Sequence, residues 1–157
     1  MQAPIVMRPI GHVEGSRKQP TDDDWAKERA EIVLDGEQFG PAALAGLADF
    51  SHVQVLFVMH GVAEGDVETE ARHPRNRADW PKVGIFAQRA KRRPNRIGLA
   101  CCRIVSVAAD ELRVRVEDLD AIDGTPVLDL KPWVQEFGPR GEVRQPTWMT
   151  ELMKGYF

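Results

Sequence analysis

The sequence has 157 residues, the size of one domain able to bury roughly 70% of its unfolded surface without help from disulfides or metal. Hydrophobic residues at 43%, charged residues at 29% and a formal net charge of −3 describe an ordinary globular composition. No apolar run approaches the about 20 residues of a membrane helix, and the start, Met1-Gln2-Ala3-Pro4, lacks the basic and apolar stretches of a signal peptide. In chain order, residues 4–14 read as a strand ending near Gly15, 16–29 as a polar loop with a helical turn near Asp24, and 30–34 as a short strand stopped by Asp35-Gly36. Residues 41–47 favour a short helix with Pro41 in its first turn, and 51–59 form the clearest strand, nearly continuous in apolar character and so expected to be central. A long polar segment covers 61–82. A short strand at 83–87 leads into a basic loop at 88–96. Two strands, 97–108 and 111–117, are joined by Ala109-Asp110. A further strand spans 125–130, an irregular proline-bearing stretch 131–146, and a terminal helix 147–156 has Thr147 as its cap. Six or seven strands, two short helices and no βαβ alternation predict a mostly β protein, a single β-barrel-like antiparallel sheet.

The two cysteines are neighbours, Cys101 and Cys102. Adjacent residues on a strand point to opposite faces, so they cannot pair with each other, and a reducing, cytoplasmic setting follows. No Cys/His cluster with zinc spacing accompanies them, so no metal site is expected.

Charge is unevenly placed. Ten of the 21 basic residues lie between Arg72 and Arg103 with Asp79 as the single acid, a balance of +9 inside a chain whose total is −3. That asymmetry favours a polyanion at one face. Within it, Arg89, Lys91, Arg92, Arg93 and Arg96 crowd one loop whose guanidinium forks suit phosphate; a plain solvated charge run remains the alternative.

Three other segments hold chemistry-bearing groups. Glu117, Asp118, Asp120 and Asp123 cluster at a strand end, where carboxylates can hold ribose hydroxyls or offset a positive sulfonium. An Asp-Gly turn satisfying its own backbone is the alternative. Asp129 and Lys131, by alternation, suit a surface pair. His60 ends the central strand beside Gly61, as rim residue or as proton acceptor. Phe86 or Trp80 can stack on a base, with core packing the expected role of Phe86. Phosphate-loop, nucleophile-elbow and HExxH patterns are absent.

The stretches PIGHVEG at 9–15, LAGLADFSHVQVLFVMH at 44–60, HPR at 73–75, VGIFAQRAKRRPNRIGLA at 83–100 and LDAIDGTPVLDLKPW at 119–133 occur in the order found in one family. Through them the chain resembles the TrmO/TsaA-like family over about residues 5–133, leaving 134–157 as a C-terminal extension of the single domain 1–157. The resemblance implies a β-barrel methyltransferase, typically a homodimer, that binds S-adenosyl-L-methionine and methylates N6 of threonylcarbamoyl-adenosine in the tRNA anticodon loop. It implies cofactor contacts at Pro20, Thr21, Asp22, His60, Gly61, Arg89, Leu99, Glu117, Asp118, Leu119 and Asp120. Asp120, Asp123 and His60 become candidate proton acceptors. Arg75, Lys91, Arg92, Arg93 and Arg96 become phosphate contacts that position without reading sequence. Longer bacterial members carry an additional C-terminal domain not found before Phe157. This motivates the alternative of a S-adenosylmethionine-binding protein that methylates another acceptor or acts as a non-catalytic sensor or RNA-binding module.

Overall fold

Inward-facing residues alternate with outward ones along every long strand, and closing those strands on themselves removes both sheet edges. The computed structural model describes residues 1–157, the side chain of Lys27 excepted. Its strands are β1 (Gly11–Glu14), β2 (Arg29–Leu34), β3 (His52–Val58), β4 (Ala71–Arg72), β5 (Val83–Gly84), β6 (Ile97–Ala108), β7 (Arg113–Glu117) and β8 (Pro126–Pro132). Six of them close an antiparallel barrel in the order β1-β2-β7-β6-β3-β8, while β4 and β5 form a separate two-stranded ribbon. One α-helix, α1 (Thr147–Met153), and several single 3₁₀ turns complete the fold. No helix among the described residues is long and apolar enough to cross a membrane.

The barrel interior is filled by small and β-branched side chains, including Val13, Ile32, Val53, Val55, Val114, Val116 and Val127, each fully buried. Branched residues pack well on a pleated half-buried surface, which is why these segments become strands. Where β3 and β6 pair, Gly98 lies opposite Phe57. A Cβ at position 98 would stand 2.2 Å from the Phe57 ring, so the glycine makes room for the largest side chain of this wall. Register shifts between Leu56 and Phe57 and between Ile104 and Ser106 bend the long strands into closure. Outside, Arg113 donates to both Glu14 and Glu31, and Arg115 to Glu31, a cross-strand ladder over β1, β2 and β7.

Antiparallel pairing puts the ends of β1, β3 and β7 and the starts of β2, β6 and β8 at the same mouth of the barrel. Segments 15–28, 59–96 and 118–125 therefore gather there, and the hairpin turn Ala109–Glu111 lies at the other end.

Several local expectations change. The first strand covers only Gly11–Glu14 rather than 4–14. Its partners β2 and β8 offer nothing to pair before Ile10, whose N–H reaches the Val127 carbonyl at 2.8 Å. The strand expected over 83–87 stops at Gly84 and gives way to a 3₁₀ turn, Ile85–Ala87. The terminal helix ends at Met153, and Thr147 is its first residue with Pro146 in the cap position. Phe86 is not in the core: it is 79% exposed, whereas Trp80 is buried. Cys101 is exposed and Cys102 buried, as their adjacency on a strand requires.

Candidate functional site

At the barrel mouth, the 20–24 loop is shaped by Arg17. Its guanidinium donates to Glu28 Oε1 at 2.9 Å, to Thr21 Oγ1 at 2.6 Å and to the carbonyls of Asp23 and Asp24, both at 2.8 Å. It also stacks 3.9 Å over the buried Trp25 ring. A cation with its donors distributed in this way fixes a loop that has no secondary structure of its own. The exposed residues Pro20, Thr21 and Asp22 sit on its rim. Asp23 receives Arg75 at 2.8 Å, and Asp22 lies 3.9 Å from the same guanidinium. Arg75 is thus drawn into an acid pair that raises its pKa.

The 117–125 segment is held from several directions. Asp118 adopts a left-handed backbone, φ 66°. Its carbonyl accepts a weak bond from Cys102 Sγ at 3.7 Å, and burial pushes that thiol well above its usual range. Ser16 Oγ donates to the Ala121 carbonyl at 2.7 Å, and Leu119 is fully buried. Asp123 turns away: its carboxylate accepts the Gly15 N–H at 2.8 Å, and its own N–H donates to the Arg17 carbonyl. Glu117 pairs with Arg103 and with Arg29, which hold its carboxyl below the ordinary range, Arg103 foremost.

Asp120 is different from its neighbours. Its Oδ2 accepts the Tyr156 hydroxyl at 2.5 Å. Its Oδ1 is buried and, among the described residues, has no hydrogen-bond partner. Burial raises the Asp120 pKa, while the Tyr156 hydrogen bond and the positive Arg89 pull it part of the way back. A buried acceptor without a donor costs about 1–3 kcal/mol, so an orphan of this kind marks a place where a ligand donor is wanted.

Tyr156 arrives from the C-terminus and is the chain's single tyrosine. The Gly155 and Tyr156 carbonyls accept the N–H groups of Asp24 and Trp25 at 3.0 and 2.8 Å. Trp80 Nε1 donates to Glu151 of α1 at 2.7 Å. The tail is thereby tied to the 20–25 loop on one side and to the long polar segment on the other. Sequence reading passed over Tyr156; its only signal was its rarity.

The basic loop divides into two groups. Arg89 donates to the Leu99 carbonyl, Arg93 to Gln88 and Arg96 to Val62, each at 2.7 Å. These three guanidiniums staple the loop to its surroundings. Lys91 and Arg92 are exposed, and neither side chain makes a hydrogen bond among the described residues. The Met59 N–H donates to the Arg96 carbonyl, which brings the exposed His60 and Gly61 beside this loop.

Of the residues singled out from sequence, the structure gathers Arg89, Leu99, Asp118, Leu119 and Asp120 at the mouth, with Asp22 on the rim near Tyr156. It directs Asp123 to Gly15 and Glu117 to its arginines. Two open depressions, of 450 and 380 Å³, lie elsewhere, one over Arg29, Glu31 and Arg115 and one beside Leu44, Leu47 and Phe50. Neither includes Asp120, which is covered by the tail. Among the described residues no cluster of His, Cys, Asp or Glu could hold a metal ion.

Residues 11–138 match the tRNA-methyltransferase O N-terminal domain family. The chain belongs to that family. A probable S-adenosyl-L-methionine-binding protein of Methanothermobacter thermautotrophicus is 36% identical over 87% of the chain and 96% of its own length. The human tRNA (adenine(37)-N6)-methyltransferase is 31% identical over 90% of the chain but only 33% of its own. A crystal structure of TrmO from Pseudomonas aeruginosa superposes with a TM-score of 0.74 at 26% identity, covering 94% of this chain and 63% of that one. The chain thus spans about a third of the mammalian enzyme and under two thirds of the bacterial one. Tyr156 lies beyond the family match, which ends at residue 138.

Proposed function

We propose that the chain is an S-adenosyl-L-methionine-dependent methyltransferase acting on N6 of an adenosine in tRNA, threonylcarbamoyl-adenosine of the anticodon loop being the acceptor. The observation that carries this reading is Asp120: a buried carboxyl fixed through one oxygen by Tyr156, with the other unsatisfied, inside a family whose relatives are named for this cofactor or this reaction. The donor set fits the cofactor. Ribose hydroxyls or an ammonium can satisfy Asp120 Oδ1, the carboxylates of Asp22 and Asp118 suit a positive ligand, and Arg89 and Leu99 border the same place. Pro20, Thr21, His60, Gly61, Glu117 and Leu119 complete the proposed contact set.

When bound, the cofactor supplies a methyl group already activated by its sulfonium charge. What remains for the protein is alignment and proton removal. Asp120 Oδ1 is the proposed acceptor of the proton that the attacking nitrogen sheds, at a carboxyl whose raised pKa makes it a better base than an exposed aspartate. Tyr156 holds the carboxyl's orientation through Oδ2. His60 is the second candidate base. Asp123 serves instead to close the loop on Gly15. Lys91, Arg92, Arg93, Arg96 and Arg75 supply the charge for RNA phosphates, with Lys91 and Arg92 the outward pair. The same reading, resting on the family resemblance, treats 1–157 as one domain working as a cytoplasmic homodimer.

Two relatives of whose own length the chain covers 74% and 96% are named only as probable cofactor-binding proteins, which favours a second reading, a binder without catalysis or with another acceptor. A radiolabelled methyl-transfer assay separates them. Label appearing in tRNA that bears threonylcarbamoyl, and not in tRNA lacking it, supports the enzyme and its acceptor. Cofactor binding without label in either tRNA moves the function to the second reading.

A further inference from the structure

Phe86 is placed where no packing need explains it. It sits in the middle of the 3₁₀ turn Ile85–Ala87, between the anchors Ile85 and Gln88. Ile85 is fully buried. Gln88 is buried too, and its side-chain amide donates to the carbonyls of Arg72 at 3.1 Å and Val83 at 2.8 Å. The turn is therefore firmly held, and the ring that it carries is nonetheless 79% exposed. A phenyl group offers an apolar face large enough to dominate a contact. Loose chain does not account for its exposure, because Ile85 before it and Gln88 two residues after it are buried.

The charge around the ring selects the occupant. Lys82, Arg89, Lys91 and Arg92 are exposed on the flanking segments. Asp79 is paired with Arg77, while two acids border the turn from the neighbouring segment: Glu70, whose carbonyl accepts the Ile85 N–H, and Glu68, whose N–H donates to the Arg92 carbonyl and whose carboxylate accepts the N–H groups of Thr69 and Glu70. An aromatic face beside exposed cations that outnumber the adjoining carboxylates is an arrangement that holds unpaired nucleic acid, with phosphates on the cations and a base on the ring. Three residues on, Arg89 reaches the Leu99 carbonyl and acts electrostatically on Asp120. The turn thus links the basic loop to the proposed reaction centre.

We propose that Phe86 is a stacking platform for an unpaired base of the RNA substrate, next to the nucleotide that is methylated. The inference rests on the methyltransferase reading and adds a residue that selects single-stranded over paired RNA. Stacking uses the ring's face and not a base edge, so it tolerates any base.

The test measures binding of a fluorescently labelled anticodon stem-loop RNA across a salt series, with the cofactor titrated separately by calorimetry. Phe86→Ala is expected to weaken RNA binding about tenfold, leaving cofactor affinity, thermal melting and the salt slope unchanged. Phe86→Trp restores the affinity. Lys91→Ala or Arg92→Ala instead reduces the salt slope by about one. Equal RNA affinity in wild type and Phe86→Ala overturns the proposal. So does a change of oligomeric state in Phe86→Ala by sedimentation, which would mean that the ring covers a second copy of the chain. Absence of RNA binding by the wild type at low salt removes the RNA reading itself, a result distinguishable from loss in the variant alone.

Discussion

The barrel and the layer of loops at its mouth are held together by different physics. Barrel walls are closed ladders around a core of Val13, Ile32, Val55, Val114 and Val127, where each side chain is one of many similar contacts. The loop layer buries scattered apolar residues, among them Trp25, Trp80, Ile85 and Leu119, and ties its segments down with polar anchors: Arg17 under the 20–24 loop, Gln88 under the Phe86 turn, Ser16 and Asp123 under the acidic segment. Dispersion and burial spread their effect over many residues, whereas the layer concentrates its hydrogen bonds on a few side chains. The contrast separates scaffold from candidate site: the barrel positions the loops, and the loops carry the residues of the proposed site.

The comparison can be broken most sharply at Asp120. Asp120→Asn keeps the shape and the Tyr156 contact but removes the basic oxygen, and methyl transfer should fall about a hundredfold or more. Folding should not suffer. The native site raises the Asp120 pKa, so ionisation above the ordinary carboxylate range works against folding, and a neutral amide is at least as stable at neutral pH. Thermal melts of the two proteins check this, and a large loss of stability in the variant would make Asp120 a structural residue.

Next comes a core truncation. Ile32→Ala should destabilise the barrel by about 3 kcal/mol in urea unfolding, with cofactor affinity unchanged in the folded fraction. Gln88→Ala should cost about 1 kcal/mol, since two half-buried carbonyls lose a donor. Its main consequence should be local, seen as faster amide exchange at 83–93 with the barrel strands protected. Uniform loss of protection would show that the layer and barrel unfold as one.

The smallest effect is expected from Tyr156→Phe, a few-fold loss of transfer at neutral pH. The hydroxyl's hydrogen bond lowers the Asp120 pKa, so its removal raises that pKa further. The rate rises with pH as Asp120 ionises. The acid limb of the profile should therefore move to higher pH, and the rate should recover above it. A lower plateau with an unmoved limb would give Tyr156 a purely structural part.

The barrel was legible in the sequence because alternation is local: Val53, Val55 and Phe57, or Val114 and Val116, reveal their buried face within a few residues. The acidic segment was legible as a site but not in its division of labour. Asp120 and Asp123 are three residues apart, and only the distant Tyr156 and Gly15 distinguish them. Phe86 misled because a short apolar run looks like a strand; nothing local shows that the Gln88 side chain ends it by taking the carbonyls of Arg72 and Val83. Similarly, no pattern along the basic loop tells that Arg89, Arg93 and Arg96 face inward to carbonyls while Lys91 and Arg92 stay outside.

The central claim is that the loop layer around Asp120 is the cofactor site, and calorimetric titration of S-adenosyl-L-methionine into the wild type and Asp120→Asn tests it most directly. A single saturable site is expected in the wild type, with an affinity at least about tenfold weaker in the variant, because a buried charged acceptor is lost. Equal affinities in two equally folded proteins would contradict it and place the cofactor elsewhere on the barrel.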